Sequence, residues 1–134
     1  MTIQAELTWT NGLQFVARAG QGPAVVMDNP EGGSGASPME LMLMAIAGCT
    51  AMDVVSILKK KRMTVSGFKV NISGARADEH PRRYTNIHIE YVVYGRDIKP
   101  EGVQRAIELS ENKYCSATAS LNADITNSFR IEAP

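Results

Sequence analysis

The chain has 134 residues, the length of one ordinary domain and enough to bury a real hydrophobic core. Fourteen Lys and Arg balance fourteen Asp and Glu, so no long-range field for nucleic acid or an anionic membrane is expected. With 44% apolar and 21% charged residues the composition is that of a soluble globular protein.

Ala5 to Met27 reads as an opening β-meander. Leu7 and Trp9 alternate with polar residues, Asn11-Gly12 is a hairpin signal, and Leu13, Phe15 and Ala17 continue the return strand. Gly20-Gln21-Gly22-Pro23 makes the next turn, and Ala24 to Met27 a third strand. Asn29 to Ser37, with Pro30 and three glycines, is a loop.

Ser37-Pro38-Met39-Glu40 starts a helix, with Ser37 as N-cap, Pro38 in the first turn and Glu40 closing a capping box. That helix is expected to run to about Lys60, roughly 35 Å at 1.5 Å per residue. Its stretch from Leu41 to Met52 is apolar all round but shorter than the ~20 residues that cross a bilayer, so it reads as a buried core helix. A small monomer has little material to cover such a helix on every side, and a second subunit would supply it. Lys59, Lys60, Lys61 and Arg62 read as a solvated helix end rather than a binding patch.

Phe68 to Arg76 and Arg83 to Tyr94 are two further strands, the second with Ile87, Ile89, Tyr91 and Val93 alternating with His88 and Glu90. Pro100 to Lys113 is an amphipathic helix, Cys115 opens a short helical segment to about Asn122, and Ile125 to Ile131 is a last strand. This order gives a single α+β domain over 1–134. Met1 to Trp9 lacks the features of a secretory signal, so the expected compartment is the reducing cytoplasm. His80 and His88 form no metal-ligand spacing, and no metal or organic cofactor is expected.

The chemistry rests on Cys49 and Cys115, which a reducing compartment makes improbable as a structural staple. Cys49 lies mid-helix in Ala47-Gly48-Cys49-Thr50, where most cysteines are small buried hydrophobes. Gly48 costs about 1 kcal/mol in a helix interior and is expected to admit a neighbouring element or a substrate. Asp53, four residues on, shares the Cys49 face, and a nearby carboxylate disfavours a thiolate. Cys115, after Lys113-Tyr114, enters a helix N-terminus, where the dipole and Lys113 favour thiolate. A peroxidatic and resolving pair is plausible on these grounds, but spacing cannot show that the two meet. Met42, Met44, Met52 and Ile46 could line a pocket, although methionines at helical spacing are by default core.

The stretch from Ser37 through Val55, read as S/T-P-x-E-L-x-L-x-A-x-x-G-C-x-A-x-D-V, closely resembles the core helix of the OsmC/Ohr family of peroxide-metabolising proteins. The second cysteine, in Glu111-Asn112-Lys113-Tyr114-Cys115-Ser116, falls where that family has its second one. The resemblance implies an α+β fold with an N-terminal β-meander, a long central helix, further strands and C-terminal helices. It implies two chains interlocked as a homodimer, with sites at the interface. It also implies that Cys49 attacks a hydroperoxide, Cys115 resolves the sulfenic acid as a disulfide, and a dithiol restores both thiols. A non-enzymatic small-molecule-binding or redox-sensing dimer is the alternative.

Two departures bear on that transfer. The reductase branch has an acid directly after the helix-start proline, where this chain has Met39. The nearby Glu40 lies about 180° around the helix from Cys49 and is explained by its capping role. That branch also holds its thiolate with a loop Arg. Arg18 lies in the corresponding region but reads as a strand residue facing solvent. Arg83, Lys113 or a partner-chain group are the other cations that could offset Asp53.

Overall fold

A computed structural model describes residues 1–134. The chain divides into two compact units, Met1–Met42 and Leu43–Pro134. The α+β class and the order of elements are as expected.

The first unit is the meander β1 (Ala5–Asn11), β2 (Gln14–Ala19) and β3 (Val25–Met27), antiparallel in sequence order. The hairpin turn sits one residue later than Asn11-Gly12, because Asn11 pairs with Gln14 and the two loop residues are Gly12 and Leu13. Gly12, at φ +52°, supplies the positive φ that such a turn needs at its first position. β1 is exposed along its whole length, including Leu7 and Trp9. The loop after β3 is pinned by Asp28, whose carboxylate accepts from Ser34 Oγ at 2.6 Å and from the Asn29 amide at 2.7 Å. Those bonds, the Ser34 hydroxyl first, hold its carboxyl below the usual range.

Helix α1 (Pro38–Lys60) starts at the expected capping box. The Glu40 amide donates to Ser37 Oγ at 3.2 Å, and the Ser37 amide donates to Glu40 Oε1 at 2.9 Å. The backbone bond from Ser37 holds the Glu40 carboxyl below its ordinary value. The helix ends at Lys60, as expected, and its 23 residues would by length and composition alone suffice to cross a bilayer. Its buried stripe is nevertheless that of a packed helix, since Thr50 in the middle makes two side-chain hydrogen bonds to other elements.

The all-round burial expected for α1 does not occur within one chain. Only Ile46, Thr50, Val54 and Leu58 are buried, one i, i+4 stripe. Met42, Met44 and Met52 are 38%, 52% and 76% exposed, so these methionines are not core, while Ile46 is. A β-carbon added at Gly48 would meet nothing, so the close neighbour anticipated there is not supplied by this chain.

In the second unit, β4 (Val65–Arg76), β5 (Tyr84–Gly95) and β6 (Asp124–Glu132) form a sheet in the order β4-β5-β6. β5 is central, antiparallel to β4 and parallel to β6. A parallel return needs a long crossover, which α2 (Pro100–Leu109) and the segment after it provide. Ile87, Ile89, Tyr91 and Val93 are buried as their alternation predicts, with exposed His88 held between Thr126 and Ser128 across the strands. α2 is shorter than expected. The α-helical pattern ends at Leu109, and a single π-helical turn, Ser110–Tyr114, carries the chain to Cys115. The Cys115 amide closes that turn on Ser110 O at 2.7 Å. Such turns insert one extra residue and often lie at functional sites.

Candidate functional site

The π turn and the middle of α1 deliver the two cysteines to one place. Cys49 and Cys115 are both free, and they lie close enough for the Cys49 thiol to act on that of Cys115. Cys49 is half-buried and Cys115 buried.

Cys115 is the N-cap of a one-turn helix, α3 (Ser116–Ala119). Its sulfur accepts from Thr118 Oγ1 at 2.9 Å and from the Thr118 amide at 3.4 Å. Entry into a helix N-terminus was expected, but the thiolate it should favour is not the outcome. Burial pushes the Cys115 thiol up, against both Thr118 bonds, and the adjacent Cys49 adds to the rise. Lys113 is not among the groups acting on this thiol, and its Nζ stands over the Tyr114 ring, 5.3 Å from its centre. A consequence can be measured. Attack by Cys115 on an oxidised Cys49 needs the thiolate, so the rate of disulfide closure should climb through neutral pH and still be rising at the ordinary thiol pKa. A stopped-flow pH series that levels off below pH 7 would contradict it.

Behind the thiols lies a line of polar groups that sequence reasoning did not single out. Tyr91 OH donates to Glu111 Oε2 at 2.7 Å and shares a 2.7 Å hydrogen bond with Thr50 Oγ1. Thr50 Oγ1 shares a second, at 2.8 Å, with Ser110 Oγ, which lies 3.0 Å from Asp53 Oδ2. Asn127 Nδ2 donates to Glu111 Oε1 at 3.1 Å. Thr50, Tyr91 and Ser110 are fully buried, and burial drives the Tyr91 phenol far above its ordinary value. These bonds tie Ser110, where the π turn begins, to the helix that carries Cys49. One signal was available in the sequence: Thr50 interrupts an otherwise apolar i, i+4 stripe, and a buried hydroxyl must find partners.

Asp53 lies on the Cys49 side of α1 and lines a cleft with Ser56, Ile57, Lys60, Leu109 and Tyr114. The other anticipated residues are engaged elsewhere. Glu40 is occupied in its capping box. Arg83 donates to the carbonyls of Tyr84 and Asn122. Arg18 is an exposed strand residue opposite Glu6.

Fold and site define an α+β protein with a half-buried thiol and a buried one near each other, backed by a hydroxyl network. A family model described as OsmC-like protein matches residues 31–129. Protein YhfA of Escherichia coli K12 is 41% identical over 133 residues, 98% of this chain and 99% of its own. A hypothetical protein from Aquifex aeolicus has a solved structure with TM-score 0.91 at 30% identity, covering 100% of this chain and 98% of that one. At greater distance, the organic hydroperoxide resistance protein OhrB of Bacillus subtilis has TM-score 0.64 at 17% identity, covering 97% and 98%, which shows the shared fold. The chain belongs to the OsmC-like protein family.

Proposed function

We propose that this protein is a cysteine-dependent reductase of organic hydroperoxides that works as an intertwined homodimer in the cytoplasm. The observation that carries the reading is the nearness of Cys49 to Cys115. Cys49, the more accessible thiol, takes the distal peroxide oxygen and becomes a sulfenic acid. Cys115 then displaces hydroxide from that sulfur to form the disulfide, with its own proton completing a water. A small dithiol reductant restores both thiols. The shared fold with a hydroperoxide resistance protein supports the substrate class.

The dimer is supported by what one chain leaves uncovered. Met44, Gly48 and Met52 recur every fourth residue along α1, away from its buried stripe, with open space at the central glycine. Leu7, Trp9, Val25 and Val26 of the meander are exposed as well. A second copy packed on these surfaces would account for both.

The alternative, a redox-sensing or small-molecule-binding dimer, is favoured by Met39 at the family's acid position. It is also favoured by the raised Cys115 thiol, which slows resolution. Titration with an organic hydroperoxide followed by peptide mapping separates the two. The reductase reading expects an intrachain Cys49–Cys115 disulfide that forms and is reduced repeatedly with a dithiol present. A single stoichiometric oxidation without turnover would favour the sensor.

A further inference from the structure

The hydroxyl network contains a proton-counting conflict that points to a role for it. Glu111, Tyr91, Thr50, Ser110 and Asp53 form one unbranched chain of four links, at 2.7, 2.7, 2.8 and 3.0 Å. All four are ordinary hydrogen-bond distances, and each needs one proton between its oxygens. The three hydroxyls bring three protons, and an ionised carboxylate brings none. If Tyr91 donates to Glu111 and Ser110 to Asp53, Thr50 has one proton for two contacts, and either its 2.7 Å link to Tyr91 or its 2.8 Å link to Ser110 is left with none. Because these three residues are fully buried, water does not fill the gap, and an unmade bond there carries the desolvation penalty of a buried polar group. A fourth proton resolves the conflict in either of two ways. It sits on Glu111 with every hydroxyl pointing toward Asp53, or on Asp53 with every hydroxyl pointing toward Glu111. A concerted shift of four protons, one across each link, exchanges the two arrangements.

We infer that these five residues form a proton-sharing chain that holds one proton between its carboxyl ends and delivers it through Asp53 to the alkoxide oxygen that leaves when Cys49 attacks a hydroperoxide. Asp53 shares the helix face of Cys49 one turn on, and it opens on the cleft with Lys60. Glu111, half-buried at the other end, is held by Asn127. Cys115 stands close enough to Tyr91 for its charge to be felt there. The inference rests on the hydroperoxide reading and adds its acid. When the Cys49 thiolate bonds to the distal oxygen of RO–OH, the O–O bond breaks and sulfur is oxidised by two electrons. The oxygen leaving as RO⁻ takes the proton of Asp53 and departs as ROH.

Thr50→Val tests this. Without the Thr50 hydroxyl, Tyr91 still donates to Glu111 and Ser110 to Asp53, both links are filled, and the extra proton has no place. Ser110→Ala balances the protons in the same way and serves if Thr50→Val does not fold. In infrared spectra at neutral pH, with carboxyl carbons isotopically labelled, the wild-type protein should show one protonated carboxyl that either variant loses. In single-turnover assays with tert-butyl hydroperoxide, either variant should oxidise Cys49 about a hundredfold more slowly, the range of a lost general acid. Alkylation of Cys49 by iodoacetamide, whose leaving iodide takes no proton, should stay near the wild-type rate. Absence of the protonated carboxyl in the wild-type protein overturns the inference. An equal fall in alkylation also overturns it, since the chain would then only position the thiol. A wild-type protein that alkylates readily but reduces no hydroperoxide removes the parent reading together with proton delivery, and is told apart by that result.

Discussion

Replacing Cys49 with serine is expected to abolish hydroperoxide consumption, with a fall of at least about 10³-fold, because a serine hydroxyl at neutral pH carries almost none of the charge that attacks an O–O bond. Cys115→Ser should behave differently. Cys115 is not needed for the first step, so that variant should reduce one equivalent of hydroperoxide and stop, leaving Cys49 as a sulfenic acid that excess oxidant carries on to sulfinic acid. Intact-protein mass spectrometry after one equivalent reads the added oxygen directly. The nearness of the two thiols makes the contrast sharp, since Cys115 is the one other cysteine in the chain. If Cys49→Ser keeps its activity, or if Cys115→Ser turns over unaided, the assignment of attacker and resolver is wrong.

The second large effect is expected at Met52, which is 76% exposed on α1. In the proposed dimer it lies on the Met44–Gly48–Met52 line against the second copy, so Met52→Glu would bury a charge without a partner. Such a charge costs at least about 3 kcal/mol, which weakens association roughly a hundredfold. Sedimentation of the wild-type protein at micromolar concentration should give the dimer mass, with more than the ~1,600 Å² of a standard interface buried. Met52→Glu should shift toward the monomer or lose solubility as its apolar faces are left bare. A wild-type monomer under those conditions, or an unchanged dimer in the variant, would remove α1 from the interface. Gly48→Ala is a milder probe, because one methyl group alters only the closest approach of two helices.

The local structure was written in the sequence wherever one interaction range decided it. Ser37, Pro38 and Glu40 specify the start of α1 through bonds three residues apart, and the capping box is found there. The alternation along β5 declared its buried face through the period-two geometry of a strand. The family resemblance rested on the stretch from Ser37 through Val55 and on the Cys115 motif, while the positions of the two cysteines suggested a pair without showing that they meet.

What the sequence could not decide depends on groups that meet across elements. The amphipathic pattern to Lys113 suggested one continuous helix. A π turn intervenes, because Ser110 is drawn to Thr50 and Asp53 on another helix. Cys115 was placed correctly at a helix start, yet its thiol is raised, because burial outweighs the bonds from Thr118 and burial is a property of the whole packing. Tyr91 and Glu111 read as ordinary strand and helix residues until the fold set them in line with Thr50, Ser110 and Asp53. Local periodicities and caps act within a few residues and are legible one segment at a time. The meeting of the thiols and the hydroxyl network are fixed only when β5, α1 and the π turn come together, since they join residues remote in sequence.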